Sequence, residues 1–442
     1  MLHKANPLNE EEVRLIESKA LRSILIESIR LREQVPSSVS SYPAAPESKH
    51  AAQTEEFPAD FSCQSCLFFD IETTGLSADT AFPFLIGCIC CEDGIWSRHQ
   101  FCIRLIQEER HLLSSFFEMA KKARFLIHFN GNTFDIPFIQ KRAAANGLCS
   151  PLETLISIDL YQRFRPLRNL LHLPHMKQNS LEKYVGWERE DRLSGKEVVA
   201  QFWSYAASQN SASENSLSPA CNVDGVSAKQ TAELLLRHNR DDLLGMLQIL
   251  KLEAYHVLFS GKNCVFKKAS CDQEALRLSF SPILPFPHPL TLTKPVFGDE
   301  DSPGISLTVN SLSGYLSVPI FHGTLRYYLP DYKNYYYLPL EHQAIHKSIA
   351  SYVAKEYRIP AKPDTCFVEK SGCFLPLPKN FPAANVPDFL KEKPLFRENY
   401  ESRHLYFEYS EGLAQQETLT VSYAKTLLTY IGSAHEKKRK SS

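Results

Sequence analysis

Excess charge of either sign is missing from this chain. Its 442 residues carry 49 Lys and Arg against 50 Asp and Glu, a formal net charge of −1. The balance excludes a histone-like or polybasic binder, but leaves room for a nucleic-acid enzyme whose basic face is local. Long apolar runs are missing too. The longest, Ala81 to Cys91, falls well short of the about 20 residues of a spanning helix, so no membrane segment is expected. Residues Met1 to Pro7 have no apolar core of signal-peptide type, so no secretory leader is expected. A disulfide framework is also lacking. Several of the 12 cysteines sit in apolar runs (Cys88, Cys90, Cys91), which suits buried reduced thiols in a cytoplasmic protein. Cys63 and Cys66 form one C-x-x-C. A zinc site needs a second pair, for which Cys264 with Cys271 or Cys366 with Cys373 would be loose partners.

Apolar residues make up 43% of the chain, enough for real cores in two or three domains of about 150 residues each. Residues 1–35 predict an N-terminal helix. Asn9 stands at the N-cap, Glu10, Glu11 and Glu12 favour the first turn, and Val13, Ile16, Ala20, Leu21, Ile24 and Leu25 recur at helical spacing. Pro36 would stop it. Residues 36–60, rich in Ser, Pro and Ala without period, read as a linker. Residues 61–261 alternate strands and helices. Leu67–Ile71, Phe82–Cys91 and Arg98–Arg104 read as three linked strands, followed by helix 107–122, strand 124–129, helix 138–146 and strand 155–160. Helices 194–207 and 229–259 follow, separated by a polar insert, Ser208 to Ser227. The pattern predicts a mixed α/β sheet flanked by helices. Residues 262–436 change character, with more Pro and Tyr and short candidate strands. We expect a separate α+β domain there, with strands near Ile305–Val309, Thr324–Leu329, Tyr335–Leu338 and Leu405–Tyr409 and a helix at His346–Arg358. Residues 437–442 form a basic tail.

Acidic residues gather at suggestive places. Asp70 and Glu72 end the first apolar strand, where period 2 puts both side chains on one face. Two carboxylates side by side repel, and a hard divalent cation is an economical remedy. Asp135 follows the turn Asn130-Gly131 and precedes Ile136-Pro137, so it suits either a helix N-cap or a metal ligand. His238 and Asp242 stand at i and i+4 in a long helical pattern and share a face, while Asp241 points elsewhere. Asp159 ends its strand as a cap or supporting group. Arg163, Arg165, Arg168, Lys177 and Lys183 cluster with only Glu182 against them, and His172 and His175 lie among them. Such a stretch could hold phosphates. Tyr327, Tyr328, Tyr332 and Tyr335 to Tyr337 alternate with Arg326 and Lys333, which suits an aromatic core or base stacking.

The ordered set Asp70, Glu72, Asp135, Asp242 with His238 resembles the DEDD 3′–5′ exonucleases of the DnaQ-like, ribonuclease H-like superfamily. Within it the chain is most similar to the YprB-like ribonuclease H-like family. The strings that carry the resemblance are FFDIETTGLS (Phe68–Ser77), HFNGNTFDIPFI (His128–Ile139), SIDLYQRFRPL (Ser157–Leu167), NSLEKYVGWERED (Asn179–Asp191) and HNRDDLLGM (His238–Met246). The third motif carries a His at the spacing the superfamily uses for Tyr, so the resemblance leaves three roles open for His238: placing the attacking water, deprotonating it, or neither.

The resemblance implies a ribonuclease H-like fold and a metal-dependent nuclease acting on DNA or RNA, with two Mg²⁺ or Mn²⁺ ions shared by the four carboxylates. Thr73, Thr74, Gly75 and Leu76 would meet the terminal nucleotide. Asn130 would hold the scissile strand, and Arg163, Arg165, Arg168 and Lys183 would meet phosphates. An endonuclease of the same superfold, or a silent nucleic-acid- or protein-binding module, is the alternative.

Overall fold

The computed structural model describes residues 1–33, 62–210, 228–261, 264–299, 302–378, 390, 393–409 and 417–436. The expected linker 36–60 with Pro36, most of the insert Ser208–Ser227 and the basic tail 437–442 lie outside the described residues. The chain divides into two compact units, Met1–Glu253 and Ala254–Ser442.

The first unit is built on a six-stranded mixed sheet. Its strands are β1 (Leu2–Pro7), β2 (Cys66–Thr73), β3 (Pro83–Glu92), β4 (Ile95–Cys102), β5 (Phe125–His128) and β6 (Ile156–Asp159), in the spatial order β1-β4-β3-β2-β5-β6. The pairs β1–β4, β4–β3 and β3–β2 are antiparallel, whereas β2–β5 and β5–β6 are parallel. This is a ribonuclease H-like fold with helices on both faces of the sheet. The near-continuous apolar character of β2 and β3 follows from that double cover. Strand period 2 then sorts the side chains of β2. Phe69 faces the helix α3 (Glu109–Ala120), its ring stacked 5.4 Å from that of Phe116. Phe68, Asp70 and Glu72 face the other way.

On that second face lies α8 (Ala228–Ile249), whose buried stripe includes Leu235, Leu243 and Leu247. The intervening helices of this unit are α4 (Asp135–Ala145), α5 (Leu160–Phe164), α6 (Gln178–Tyr184) and α7 (Gly195–Asn210).

The N-terminal segment departs from the single expected helix. Asn9 does cap it, with a reciprocal pair of bonds: Glu12 N–H donates to Asn9 Oδ1 and Asn9 N–H to Glu12 Oε2, both at 2.9 Å. The helix then breaks at Glu17–Ser18 into α1 (Glu10–Ile16) and α2 (Lys19–Glu33). Before it, residues 2–7 are a strand at the edge of the sheet, pairing Leu2 with Cys102 through Pro7 with Ser97. Its alternation is weak (Leu, His, Lys, Ala, Asn, Pro), which is why no strand was legible there.

The second unit opens with α9 (Glu253–Phe259), whose first residue is the last of the first unit, and is otherwise mostly β. A five-stranded antiparallel sheet has the order β7-β8-β11-β10-β9: Cys264–Cys271, Ala275–Pro282, Ser313–Pro319, Gly304–Asn310 and Leu290–Pro295. A four-stranded sheet orders β12-β16-β18-β17, spanning Phe321–Tyr328, Phe367–Leu377, Leu405–Glu408 and Leu395–Phe396. A three-stranded sheet joins β14 (Gln343–His346), β13 (Tyr335–Leu338) and β15 (Ile359–Pro360).

The helix expected at His346–Arg358 is a correction. Only α10 (Lys347–Ala350) and a 3₁₀ turn at Lys355–Tyr357 form. Ile349, Tyr352 and Tyr357 are exposed there, so no apolar face exists to hold a longer helix against the body. The unit's long helix is instead α11 (Glu417–Glu436), which buries Tyr423, Ala424, Leu427, Leu428 and Ile431.

The tyrosines of the tyrosine-rich segment are half-buried, and some of them pack on neighbouring rings. Tyr328 meets Phe367 and Tyr400 edge-on, Tyr337 lies against Phe367, and Arg326 stacks on Phe367 while its Nε donates to Glu369. Among the described residues, no helix is long and apolar enough to cross a membrane.

Candidate active site

Because β2, β5 and β6 run parallel, their carboxyl ends share one edge of the sheet, where open α/β sheets place their ligands. Asp70 and Glu72 reach that edge from β2. Asp135 reaches it from the start of α4, after the turn that follows β5. Asp242 and His238 descend on it from α8. The structure thus brings the four carboxylates and the histidine together. His238 Nε2 lies 3.5 Å from Glu72 Oε1 and 3.5 Å from Asp242 Oδ2.

Asp135 is not the N-cap that Pro137 suggested. Phe134 occupies that position, and Asp135 is the first helical residue. Its carboxylate is instead turned to the site and held by the backbone N–H groups of Ile71 and of Asp135 itself.

The electrostatics follow from crowding. Burial, followed by the charges of Asp242, Glu72 and Asp135, pushes the Asp70 carboxyl well above the ordinary carboxylate range. Burial raises Glu72 to about 8, against a pull downward from His238. Burial raises Asp135 to about 7. His238 is lowered by burial, but the carboxylates of Glu72, Asp242 and Asp191 outweigh this and raise it overall.

A pH dependence follows. The folded carboxyls hold protons that an unfolded chain releases near about pH 4. Their contribution to stability is full below that value and is lost as pH rises through about 7 and 8. The raised His238 acts in the same direction. In chelator, the thermal midpoint is expected to fall from about pH 6 to about pH 9, and a divalent cation added at the upper end should recover it. Thermal melts across that range, with and without Mn²⁺, check this.

Four residues without an assigned role in the sequence reading complete the site. Asn239, beside His238 on α8, donates from Nδ2 to Asp70 Oδ2 at 3.0 Å. Gln100 on β4 fixes that amide, donating to Asn239 Oδ1 at 3.0 Å and to Leu236 O at 2.7 Å. Asp191 lies 2.5 Å from His238 Nδ1, leaving Nε2 to face the carboxylates. Arg189 pairs with Asp242 Oδ1 at 2.7 Å and with both oxygens of buried Glu182, leaving Asp242 Oδ2 toward the site. Asp241, which indeed points away, accepts the Asp191 backbone N–H at 2.7 Å and so holds that segment.

The helix approaches β3 so closely that only glycine fits at position 87. A Cβ there would overlap Asn239 Oδ1 and sit 2.8 Å from Leu243 Cδ1. Gly87→Ala is expected to cost about 1–3 kcal/mol, read as a lowered denaturant midpoint, and to loosen the hold on Asp70.

The other sequence-predicted residues divide. Thr74 closes the loop after β2, with Phe82 N–H donating to its Oγ1 at 3.1 Å. Thr73 Oγ1 donates to Gly75 O at 2.8 Å, and Leu76 stands 88% exposed at the tip. Asn130 adopts φ +63° in the turn after β5. With Arg165, Arg168, His175 and Lys177 it lines a cleft of about 410 Å³ floored by Phe129 and Tyr161. Lys183 is exposed on α6 and is not among the cleft's lining.

Arg163 is a correction. It is not presented to solvent as a phosphate ligand. Its guanidinium donates to both oxygens of fully buried Glu253, at 2.9 and 2.6 Å, and pairs with Glu27 at 2.6 Å. Helical phase turned it inward, away from Arg165 and Arg168. Asp159 is the N-cap of α5, its Oδ1 accepting the backbone N–H groups of Tyr161 and Asn130 at 3.0 and 2.9 Å. Cys63 and Cys66 are buried free thiols, and neither belongs to a metal-ligating cluster among the described residues.

The sheet order and the edge it presents define a ribonuclease H-like domain. Residues 67–253 match the RNase_H_2 family model of the RNase H superfamily. No curated protein matches the chain.

Solved structures similar to it include three with low scores. One is the family B DNA polymerase of the archaeon Pyrobaculum calidifontis, at 12% identity and TM-score 0.31, covering 61% of this chain and 35% of the polymerase. Another is the Nibbler EXO domain of Aedes aegypti, at 14% identity and TM-score 0.22, covering 44% of this chain and 81% of that domain. A third is Exonuclease I in its apo form, at 12% and 0.22, covering 49% and 56%. The chain thus spans about a third of the polymerase's length. At these identities and scores the likenesses say nothing of this chain's chemistry.

Proposed function

We propose that the first unit is a divalent-metal-dependent nuclease that hydrolyses phosphodiester bonds of DNA or RNA, as a 3′–5′ exonuclease with a two-metal site. One observation carries the reading: Asp70, Glu72, Asp135 and Asp242 are held together at the sheet edge although each opposes the ionisation of its neighbours. Unless the acids act on something positive, that arrangement only costs stability.

The donors fit Mg²⁺ or Mn²⁺. They are carboxylate oxygens with one imidazole and no thiolate, whereas zinc favours nitrogen and sulfur. Asp70, Glu72, Asp135 and Asp242 would hold the ions. Bound there, the ions would acidify a water and offset negative charge on the phosphate.

The chain's own groups do the rest. His238, with Nδ1 engaged by Asp191, offers Nε2 to orient the attacking water and take its proton. The water oxygen bonds to phosphorus, the bond to the 3′-oxygen breaks, and that oxygen gains a proton. Arg165, Arg168 and Asn130 in the cleft would hold the strand, with Lys183 a more distant phosphate contact. Thr73, Thr74 and Gly75 would present backbone to the terminal nucleotide, and exposed Leu76 would wedge under its base.

The test is purified full-length protein with Mg²⁺ or Mn²⁺ on 5′- and 3′-labelled DNA and RNA. Stepwise shortening from the 3′ end is expected, with a circular substrate left whole. Cleavage of the circle would mean an endonuclease. Tight binding without any cleavage would mean a silent module.

A further inference from the structure

We infer that the protein carries a second metal site, for a soft or borderline ion such as Zn²⁺, formed by Cys90, Glu92 and His99 on the opposite face of the sheet from the carboxylates. The placement follows from strand period. Asp70 pairs with Gly87 on the α8 face, so Cys88, Cys90 and Glu92 of β3 project toward the α3 face. His99 of β4 pairs with Cys88 and shares their side. One ligand atom from each of Cys90, Glu92 and His99 lies within 4.8 Å of the others. Thiolate, imidazole and carboxylate around one point make a zinc-type donor set, with a fourth position left for water.

A separate observation points into this space. His99 is 94% buried, being 6% exposed, and its Nε2 makes no hydrogen bond among the described residues, although Glu92 Oε2 lies 3.4 Å away. A buried imidazole nitrogen left this way is costly unless something occupies it. The other nitrogen is already engaged, because His3 Nε2 of β1 lies 3.3 Å from His99 Nδ1 with the two rings stacked. Metal-bound histidines are oriented in just this way through their second nitrogen.

The remaining groups agree. Cys88 and His99 both lie beside the Cys90 thiol. Lys122, after α3, donates to Glu92 Oε1 at 2.8 Å and leaves Oε2 toward His99. Glu92 is the partly exposed member, with its side chain 32% accessible, so it marks the entry path. Such an ion would tie the β3–β4 hairpin to the N-terminal strand through His3.

The experiment uses full-length protein stripped with chelator and titrated with Co²⁺ alone. A thiolate-to-cobalt absorption band should grow to one equivalent, and Zn²⁺ should bleach it. Oxygen ligands cannot give that band, so an Asp70→Asn background should leave it intact, whatever the fate of the nuclease reading. Cys90→Ser and Cys90→Ala should each abolish it. His3→Gln should weaken Co²⁺ binding by roughly 10-fold or more while the fold persists. Folding of every variant is checked by circular dichroism. A wild-type protein that folds but gives no band overturns the proposal, as does a band unchanged in either folded Cys90 variant. If neither Cys90 variant folds, a Co²⁺ affinity unchanged in His3→Gln overturns it.

Discussion

Replacing Asp70 by Asn is expected to lower metal-dependent cleavage of labelled nucleic acid by about a thousandfold or more, because the ions it would help to hold would supply several kcal/mol of charge stabilisation. The substitution keeps the shape of the side chain, and the Asn239 amide, 3.0 Å from Asp70 Oδ2, can still donate to an oxygen there. It removes a carboxyl that burial and three neighbouring acids already hold far above its ordinary range. Metal-free Asp70→Asn should therefore be at least as stable as the wild type at alkaline pH. Loss of cleavage with an undiminished thermal midpoint separates chemistry from folding. Wild-type turnover in Asp70→Asn would remove the carboxylate site from the reaction.

Arg163→Ala is expected to cost about 3–5 kcal/mol of stability, the range for removing one partner of a buried ion pair. Glu253 is fully buried, and burial pushes its carboxyl up while the Arg163 guanidinium draws it down. Ser23 of α2 donates to the same carboxylate at 2.9 Å, and Glu27 of α2 pairs with the same arginine. Without Arg163 the charge on Glu253 loses its bidentate partner and the N-terminal helix loses an anchor. Lysine cannot restore two parallel bonds, so Arg163→Lys should recover only part of the loss. Denaturant titration reads the change. Arg165→Ala should behave oppositely. It lines the cleft, so it should leave stability nearly unchanged and weaken nucleic-acid binding, reducing the salt slope by about one. Equal stability of Arg163→Ala and wild type would return Arg163 to the phosphate contacts.

Legibility of this chain followed regularity. Apolar runs bounded by turns located β2, β3 and β5, and period 2 put Asp70 and Glu72 on one face, where α8 meets them. Period 3.6 put His238 and Asp242 together. The same period could have found Asn239, adjacent to His238 and three residues before Asp242, had the small Gly87 opposite Asp70 been read as a point of close approach. Asp191 and Arg189 lie in an irregular stretch after α6, where no period says which way a side chain points. Arg163 was misread because a cluster of like residues says nothing of phase in a helix of five residues. The edge strand β1 escaped because a strand completed by pairing needs little apolar pattern of its own.

The central claim is that the four carboxylates converge in order to hold divalent cations. Crystals of the full-length protein grown with Mn²⁺, with data collected at the manganese absorption edge, test it most directly. Two anomalous peaks among Asp70, Glu72, Asp135 and Asp242, about 3.5–4 Å apart, are predicted. A map with Mn²⁺ in excess and no peak among those four side chains would contradict it.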